Sequence, residues 1–89
     1  MQAVISVTGK DSVGIVAKVS EKCAKYNVNI SDVSQTVLQT YFVMIMVVDI
    51  ANISIPFNDF VDEMAALGRE NLLEIHTMHE DIFNSMHKI

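Results

Sequence analysis

Residues 9 to 16 read Gly9-Lys10-Asp11-Ser12-Val13-Gly14-Ile15-Val16, and the pattern of the chain changes here. The residues before this stretch are short and largely β-branched, as in a strand, and the residues after it repeat apolar side chains at helical spacing. The stretch also holds two glycines and an acid that can cap a helix. We therefore predict a strand that turns directly into a helix.

The predicted turn has a chemical consequence. A helix N-terminus presents backbone N–H groups without intrahelical acceptors at the positive end of the helix dipole. A small anion, such as the carboxylate of an amino acid, can bind at such a place. A phosphate-binding loop for nucleotides is excluded, because Ile15 and Val16 replace the Lys and the Ser or Thr that hold phosphate and magnesium.

Hydrophobic spacing predicts the remaining elements. Ile30, Val33 and Val37 do not keep one parity, which predicts either a bulge in strand two or a strand with a polar edge. The predicted elements are strand Gln2–Thr8, helix Ser12–Tyr26, strand Asn29–Leu38, strand Tyr41–Ile50, a helix that starts at Pro56 and ends at Gly68, strand Asn71–Met78 and a short helix Glu80–His87.

This β-α-β-β-α-β order predicts an α+β fold, the ferredoxin-like sandwich. Right-handed crossovers put two helices on one face of a four-stranded antiparallel sheet. The short C-terminal helix needs a docking place, and we expect Ile82, Phe83 and Met86 to pack on the open sheet face or across a dimer. We expect one domain over residues 1–89, with a core of residues 2–79 and a terminal segment 80–89.

Composition narrows the possible partners. The net charge is −5, with six basic and eleven acidic residues, which argues against nucleic acid and against a membrane surface. Apolar residues make up 51% of the chain, more than one small core hides, so we expect a homodimer. The single cysteine and the absence of a recognisable signal peptide or membrane span predict a cytoplasmic protein.

No arrangement of side chains predicts an enzyme. Asp11 and Asp32 have no His or second acid at a spacing that suits proton transfer, and Asp11 suits a helix cap. Cys23 falls on the apolar stripe of helix one, where a structural thiol is expected. A phosphatase of this fold needs an arginine in the first loop, whereas the only arginine is Arg69.

The three histidines do not predict a metal site. His76 and His79 are three residues apart at the end of a strand, so they need not face the same way, and His87 lies in the terminal segment. No cysteine or close pair of acids completes a ligand set. We therefore expect no catalytic residue, no metal and no cofactor.

Two segments together resemble the ACT domain, over about residues 2 to 79. They are the turn, Gly9-x-Asp11-x-x-Gly14-Ile15-Val16, and the strand-two motif Asn29-Ile30-x-Asp32. The longer run 29–37, the strand start 41–44 and the ending 79–89 are similar to a narrower group. This group is the stand-alone, uncharacterised ACT proteins of bacteria and archaea, of roughly the 89-residue length of this chain. The sequence is also similar to one half of the tandem-ACT regulator of glycine cleavage.

The resemblance implies regulation. ACT domains bind amino acids or other small effectors at subunit interfaces and pair into larger sheets. Carried onto this chain, it implies a ligand between the turn of one subunit and strand two of its neighbour. In such a site Lys10 could assist a carboxylate and Asp32 could meet an ammonium group. The implied residues are Gly9, Lys10, Asp11, Ser12, Val13 and Gly14, facing Asn29, Ile30, Ser31 and Asp32.

Three functions follow for comparison. The first is a non-enzymatic, homodimeric regulatory domain that binds an amino acid and acts on a separate partner protein. The second is a ligand-free interaction or dimerisation module that uses the same surface. The third, an acylphosphatase-like hydrolase, is disfavoured by the position of the only arginine.

Overall fold

The computed structural model describes residues 1–10 and 13–86. Its four strands form one antiparallel sheet with the order β2-β3-β1-β4. The predicted ferredoxin-like α+β fold is confirmed. In chain order the elements are β1 (Gln2–Gly9), α1 (Ile15–Lys25), β2 (Asn29–Leu38), β3 (Tyr41–Asp49), α2 (Phe57–Glu70), β4 (Glu74–His79) and α3 (Glu80–Met86).

The hydrophobic core lies on the face of the sheet that α1 and α2 cover. On β3, Phe42, Met44, Met46 and Val48 alternate with half-buried residues and are at most 4% exposed. Val19 of α1 is fully buried in the same cluster. Strand β3 is central, as its apolar sequence predicts, but its second face is only half-buried.

The structure has a bulge in β2, which is one of the two alternatives that the parity of strand two predicts. The pairing of β2 with β3 shifts between Ile30, opposite Val48, and Asp32, opposite Val47, so Ser31 is the extra residue. The extra residue changes the parity of everything after it. As a result Ile30 and Val33 fall on the same, helix-covered face of the sheet, and so does Val37.

Three predicted boundaries are wrong by two or more residues. Helix α1 begins at Ile15 and not at Ser12, because Gly14 adopts a left-handed conformation (φ 74°) and is the N-cap. Helix α2 continues through Gly68 to Glu70, where Gly68 serves close packing and not termination. Strand β4 begins at Glu74 and not at Asn71, because residues 71–73 close the end of α2.

Helices α1 and α2 are joined by one polar cluster. The Glu63 carboxylate accepts hydrogen bonds from the Tyr26 hydroxyl at 2.7 Å and from Lys22 Nζ at 3.0 Å. These two hydrogen bonds, with Tyr26 the larger cause, lower the pKa of Glu63, and the bond to Glu63 raises the pKa of Lys22. Glu63 therefore links α2 to the C-terminal end of α1.

Helix α3 lies against β1 and β4. Val4 of β1 points away from α1 and α2, yet it is only 3% exposed. We attribute this burial to α3, whose Phe83 is half-buried, while Ile82 and Met86 stay largely exposed. Residues 87–89, the end of the predicted terminal helix, lie outside the described part of the chain.

Candidate functional site

The turn after β1 has two glycines with different physical roles. A Cβ on Gly9 would lie 2.0 Å from Cδ2 of Leu73, so Gly9 permits close packing of β1 against the loop before β4. Among the described residues, no atom comes within 4 Å of the place where a Gly14 Cβ would be, and the φ of 74° explains why a glycine suits the position.

The N-cap residue of α1 is Gly14, which has no side chain to cap the first-turn backbone donors. The first intrahelical hydrogen bond runs from Lys18 N to Gly14 O at 3.1 Å, and Gly14 makes no side-chain capping bond. The N–H groups of the first turn have no acceptor within the helix. The predicted roles of Asp11 and Ser12, including the cap at Asp11, fall outside the described residues.

Two turn residues project outward. Val13 is 88% exposed, and the exposed Lys10 places its Nζ 6.0 Å from the centre of the Tyr41 ring. Because Tyr41 pairs with Leu38, its side chain lies on the sheet face opposite α1. Lys10 is therefore on the open side of the sheet, whereas Gly14 leads into the helix layer.

The strand-two half of the predicted site surrounds the bulge. Ile30 packs partly on the core, Asn29 is exposed opposite Asp49, and Ser31 is the bulged residue. The Asp32 carboxylate accepts a hydrogen bond from the backbone N–H of Val33 at 2.9 Å.

One chain cannot bring the two halves together. Gly9 pairs with Phe42, whereas Asp32 pairs with Val47 of the same strand. These positions are five residues apart along β3, or about 17 Å at the usual rise per residue. Any site that uses both halves therefore needs a second subunit.

Sequence reasoning missed two residues of the helix-covered face of β2. Val33 is 38% exposed and Val37 is 68% exposed, because α1 does not extend over this part of the edge strand. Their shared face becomes visible in the sequence only when the bulge is placed at Ser31 and the parity is counted again.

The other candidate groups do not form a reaction centre. Cys23 is fully buried, and this burial raises the pKa of its thiol to about 11, as expected for a structural residue. His79 stacks on Phe57 with ring centres 4.3 Å apart, while His76 lies 3.4 Å from Glu74 on the opposite sheet face. Within residues 1–10 and 13–86, no three His, Cys, Asp or Glu side chains are grouped to hold a metal ion.

Comparison with known proteins identifies the family. The family model described as the ACT domain matches residues 1–75. This chain belongs to the ACT domain family. A UPF0237 protein of Listeria monocytogenes is 49% identical over 89 residues, which is all of both chains. The resemblance seen in the sequence is thus confirmed, including the narrower group of stand-alone proteins.

Solved structures of other proteins superpose on this fold. The ACT domain protein from Streptococcus pneumoniae superposes with a TM-score of 0.82 at 42% identity and covers 93% of each chain. A putative glycine cleavage system transcriptional repressor superposes with a TM-score of 0.68 at 22% identity, over 85% of this chain and 43% of that one. The second likeness concerns the fold alone. Membership of the ACT family indicates a regulatory, small-ligand-binding role.

No helix among the described residues is long and apolar enough to cross a membrane.

Proposed function

We propose that this ACT domain is a non-enzymatic homodimer that binds an amino acid between its subunits and regulates a separate protein. One observation carries the proposal. The edge strand β2 is long and exposed, and it has exposed apolar side chains on the helix-covered face of the sheet. A site divided between opposite ends of the sheet is completed when a second copy pairs along this edge.

The edge of β2 is suited to pairing with another strand. Nine of its ten residues are exposed, and only Ile30 is half-buried. Soluble proteins normally shorten, charge or cover such an edge, because its free N–H and C=O groups attract other strands. In β2 the charge that would block pairing is limited to Asp32.

The two exposed valines favour one register. In an antiparallel pair of β2 strands centred on Gln35, Val33 lies opposite the partner's Val37, and the reverse holds by symmetry. Both valines are on the helix-covered face. The pairing therefore covers apolar surface that is 38% and 68% exposed in a single chain.

The same register brings the two halves of the site to one end of the sheet. In this register the partner's Asp32 lies opposite Leu38 at the end of β2. Leu38 pairs with Tyr41 of β3, and the next residue of β3, Phe42, pairs with Gly9 at the end of β1. The end of β1 and the partner's β2 are then three strand spacings apart, about 14 Å. The proposed ligand lies in the gap between them.

A zwitterion suits the chemistry of this gap. Its carboxylate would accept hydrogen bonds from the first-turn N–H groups of α1, at the positive end of the helix dipole. Its ammonium group would meet the partner's Ser31, whose backbone the bulge removes from regular pairing and whose hydroxyl is an acceptor. Asp32 adds negative charge beside Ser31, and Lys10 and the positive dipole end of α1 add positive charge at the turn.

Calorimetric titration against the amino acids tests the proposal. We expect the wild-type dimer to bind at least one amino acid, and Val37→Lys, which places a charge against the partner's Val33, to lose both dimer and binding. Leu38→Lys is the matched control for dimerisation and should keep the dimer. A dimer that binds none of them leaves the ligand-free interaction module, which the exposed valines of β2 also favour.

A further inference from the structure

The end of the sheet near β4 contains a cleft that lies within a single chain. Its volume is about 790 Å³, and it lies between the end of β1, the start of β3 and the loop from α2 to β4. This size falls in the range of small-molecule sites. The cleft shares Gly9 and Lys10 with the turn half of the site proposed above, but none of its lining residues belongs to β2, so it needs no second subunit.

The floor of the cleft is apolar and closely packed. Leu73 is 9% exposed, and two lining glycines allow the chain to close around it. A Cβ on Gly9 would overlap the Leu73 side chain, and a Cβ on Gly68 would lie 2.7 Å from the Leu73 carbonyl oxygen. Tyr41 supplies a further half-exposed ring to the lining.

Leu72 forms a wall of the cleft at an energetic cost. Its φ of 57° is left-handed, at the position after a helix where glycine or asparagine is usual. The backbone N–H of Leu73 closes this turn on the Gly68 carbonyl at 2.8 Å. Leu72 is also 91% exposed, so it gains little from burial in exchange for its strained backbone. A strained and exposed leucine points to a role outside folding.

The charges at the mouth of the cleft select an anion. Lys10 and Arg69 both line it, and Lys10 contacts only the face of Tyr41 among the interactions of the described residues. The amide of Asn71 is occupied, since it accepts from Lys18 and donates to the Leu67 carbonyl. Glu74, the one acid among the described residues of the lining, lies beside His76.

We propose that this cleft binds a small organic carboxylate with an apolar tail. Arg69 and Lys10 would hold the carboxylate, Arg69 through the paired N–H groups that match its geometry. The tail would lie along Leu72, Leu73 and Tyr41. Each subunit has its own cleft, so binding does not require the dimer.

The test is a titration of the full-length, ¹⁵N-labelled chain with hexanoate, followed by amide chemical shifts. We expect saturable shifts at residues 8–10, 41 and 71–74, with a dissociation constant on the order of 1 mM for so small a ligand. Acetate lacks the tail and hexylamine lacks the anion, so neither should saturate. Hexanoate that moves none of these amides, or acetate that binds equally well, overturns the proposal.

Three variants separate this cleft from the interface site. Arg69→Gln should weaken hexanoate binding roughly tenfold, as expected when a charged hydrogen bond is lost. Lys25→Gln makes the same change of charge on α1 away from the cleft, and Val37→Lys disrupts only the proposed dimer, so both should bind normally. Loss of binding in Val37→Lys with normal binding in Arg69→Gln would overturn the cleft and place the carboxylate at the subunit interface.

The backbone of Leu72 provides an independent readout. Leu72→Asn relieves the left-handed strain and removes the apolar wall, so the thermal midpoint should rise while hexanoate affinity falls. A variant with a raised midpoint and unchanged affinity would show that Leu72 does not contact the tail. A variant with a lowered midpoint would show that leucine is there for folding. Either result contradicts the proposal.

Discussion

The two edge strands of this sheet differ in how they are finished. Strand β4 has six residues, packs against α2, buries Ile75 to 6% exposure and runs directly into α3. Strand β2 has ten residues, of which nine are exposed, and α1 reaches little beyond Ile30. The fold therefore closes one edge with its own elements and leaves the other edge open, which is why we expect the partner subunit at β2.

The largest expected effect comes from a charge on the open edge. Val37→Lys should weaken the dimer about 100-fold, because the two-fold axis introduces the buried charge twice. The free energy of unfolding should change by less than about 0.5 kcal/mol, since Val37 is largely exposed in one chain. Sedimentation equilibrium measures the first quantity and chemical denaturation of the monomer the second.

Leu38→Lys is the control that tests the register. Leu38 is 61% exposed on the opposite face of the same strand, and the proposed pairing puts it across from the partner's Asp32. The new lysine should therefore leave the dimer intact or strengthen it. Equal loss of the dimer in both variants would contradict pairing centred on Gln35.

At the closed edge, the addition of a single methyl group between α2 and β4 should lower the free energy of unfolding. Gly68→Ala places a Cβ 2.7 Å from the Leu73 carbonyl and 3.1 Å from Ile75 Cγ1. We expect a loss of about 1–2 kcal/mol in the free energy of unfolding, the overpacking cost less the gain in helix propensity. Asp62→Ala, on an exposed position of the same helix, should stay within about 0.5 kcal/mol. If urea denaturation shows Gly68→Ala to be neutral, α2 and β4 are not held as closely as described.

A smaller effect should appear in the pH dependence of stability. The folded-state pKa of Glu63 is lowered, so its contribution is present above the ordinary pKa of glutamate and is lost as pH falls through the lowered value. The thermal midpoint of wild type should exceed that of Glu63→Gln near neutral pH, and the two should converge below about pH 4. Lys22, the partner of Glu63, affects stability at the alkaline end of the pH range. Its folded-state pKa is raised, so its contribution to stability is present at lower pH and is lost as pH rises through the raised value.

The matched variant for this pH series is Asp62→Asn, on the exposed surface next to Glu63. Its midpoint should follow that of wild type across the whole range. If the difference in thermal midpoint between wild type and Glu63→Gln stays constant down to pH 3, the hydrogen bonds from Tyr26 and Lys22 do not favour the ionised carboxylate over the protonated one.

The sequence predicted what depends on local pattern. Apolar spacing located every element, and the broken parity of Ile30, Val33 and Val37 predicted either a polar edge or the bulge that the register shows. It could not predict what depends on tertiary contact. A glycine such as Gly68 is typical of a helix end, but its tertiary contacts with Leu73 and Ile75 determine its role.

The candidate site shows the same division. The motif at Gly9–Gly14 and the segment at Asn29–Asp32 are visible in the sequence, but their separation within one chain is visible only from the strand register. The left-handed Leu72 contradicts the usual preference for glycine, so no propensity rule leads to it or to the cleft that it borders.

The most direct test of the open edge is an isotope-filtered NOE experiment on a mixed dimer, with one subunit labelled and its partner unlabelled. Pairing centred on Gln35 predicts intermolecular NOEs between the methyl groups of Val33 and those of the partner's Val37. A dimer whose intermolecular NOEs arise elsewhere, with none from β2, would contradict the account, as would a protein that stays monomeric at the concentration of the experiment.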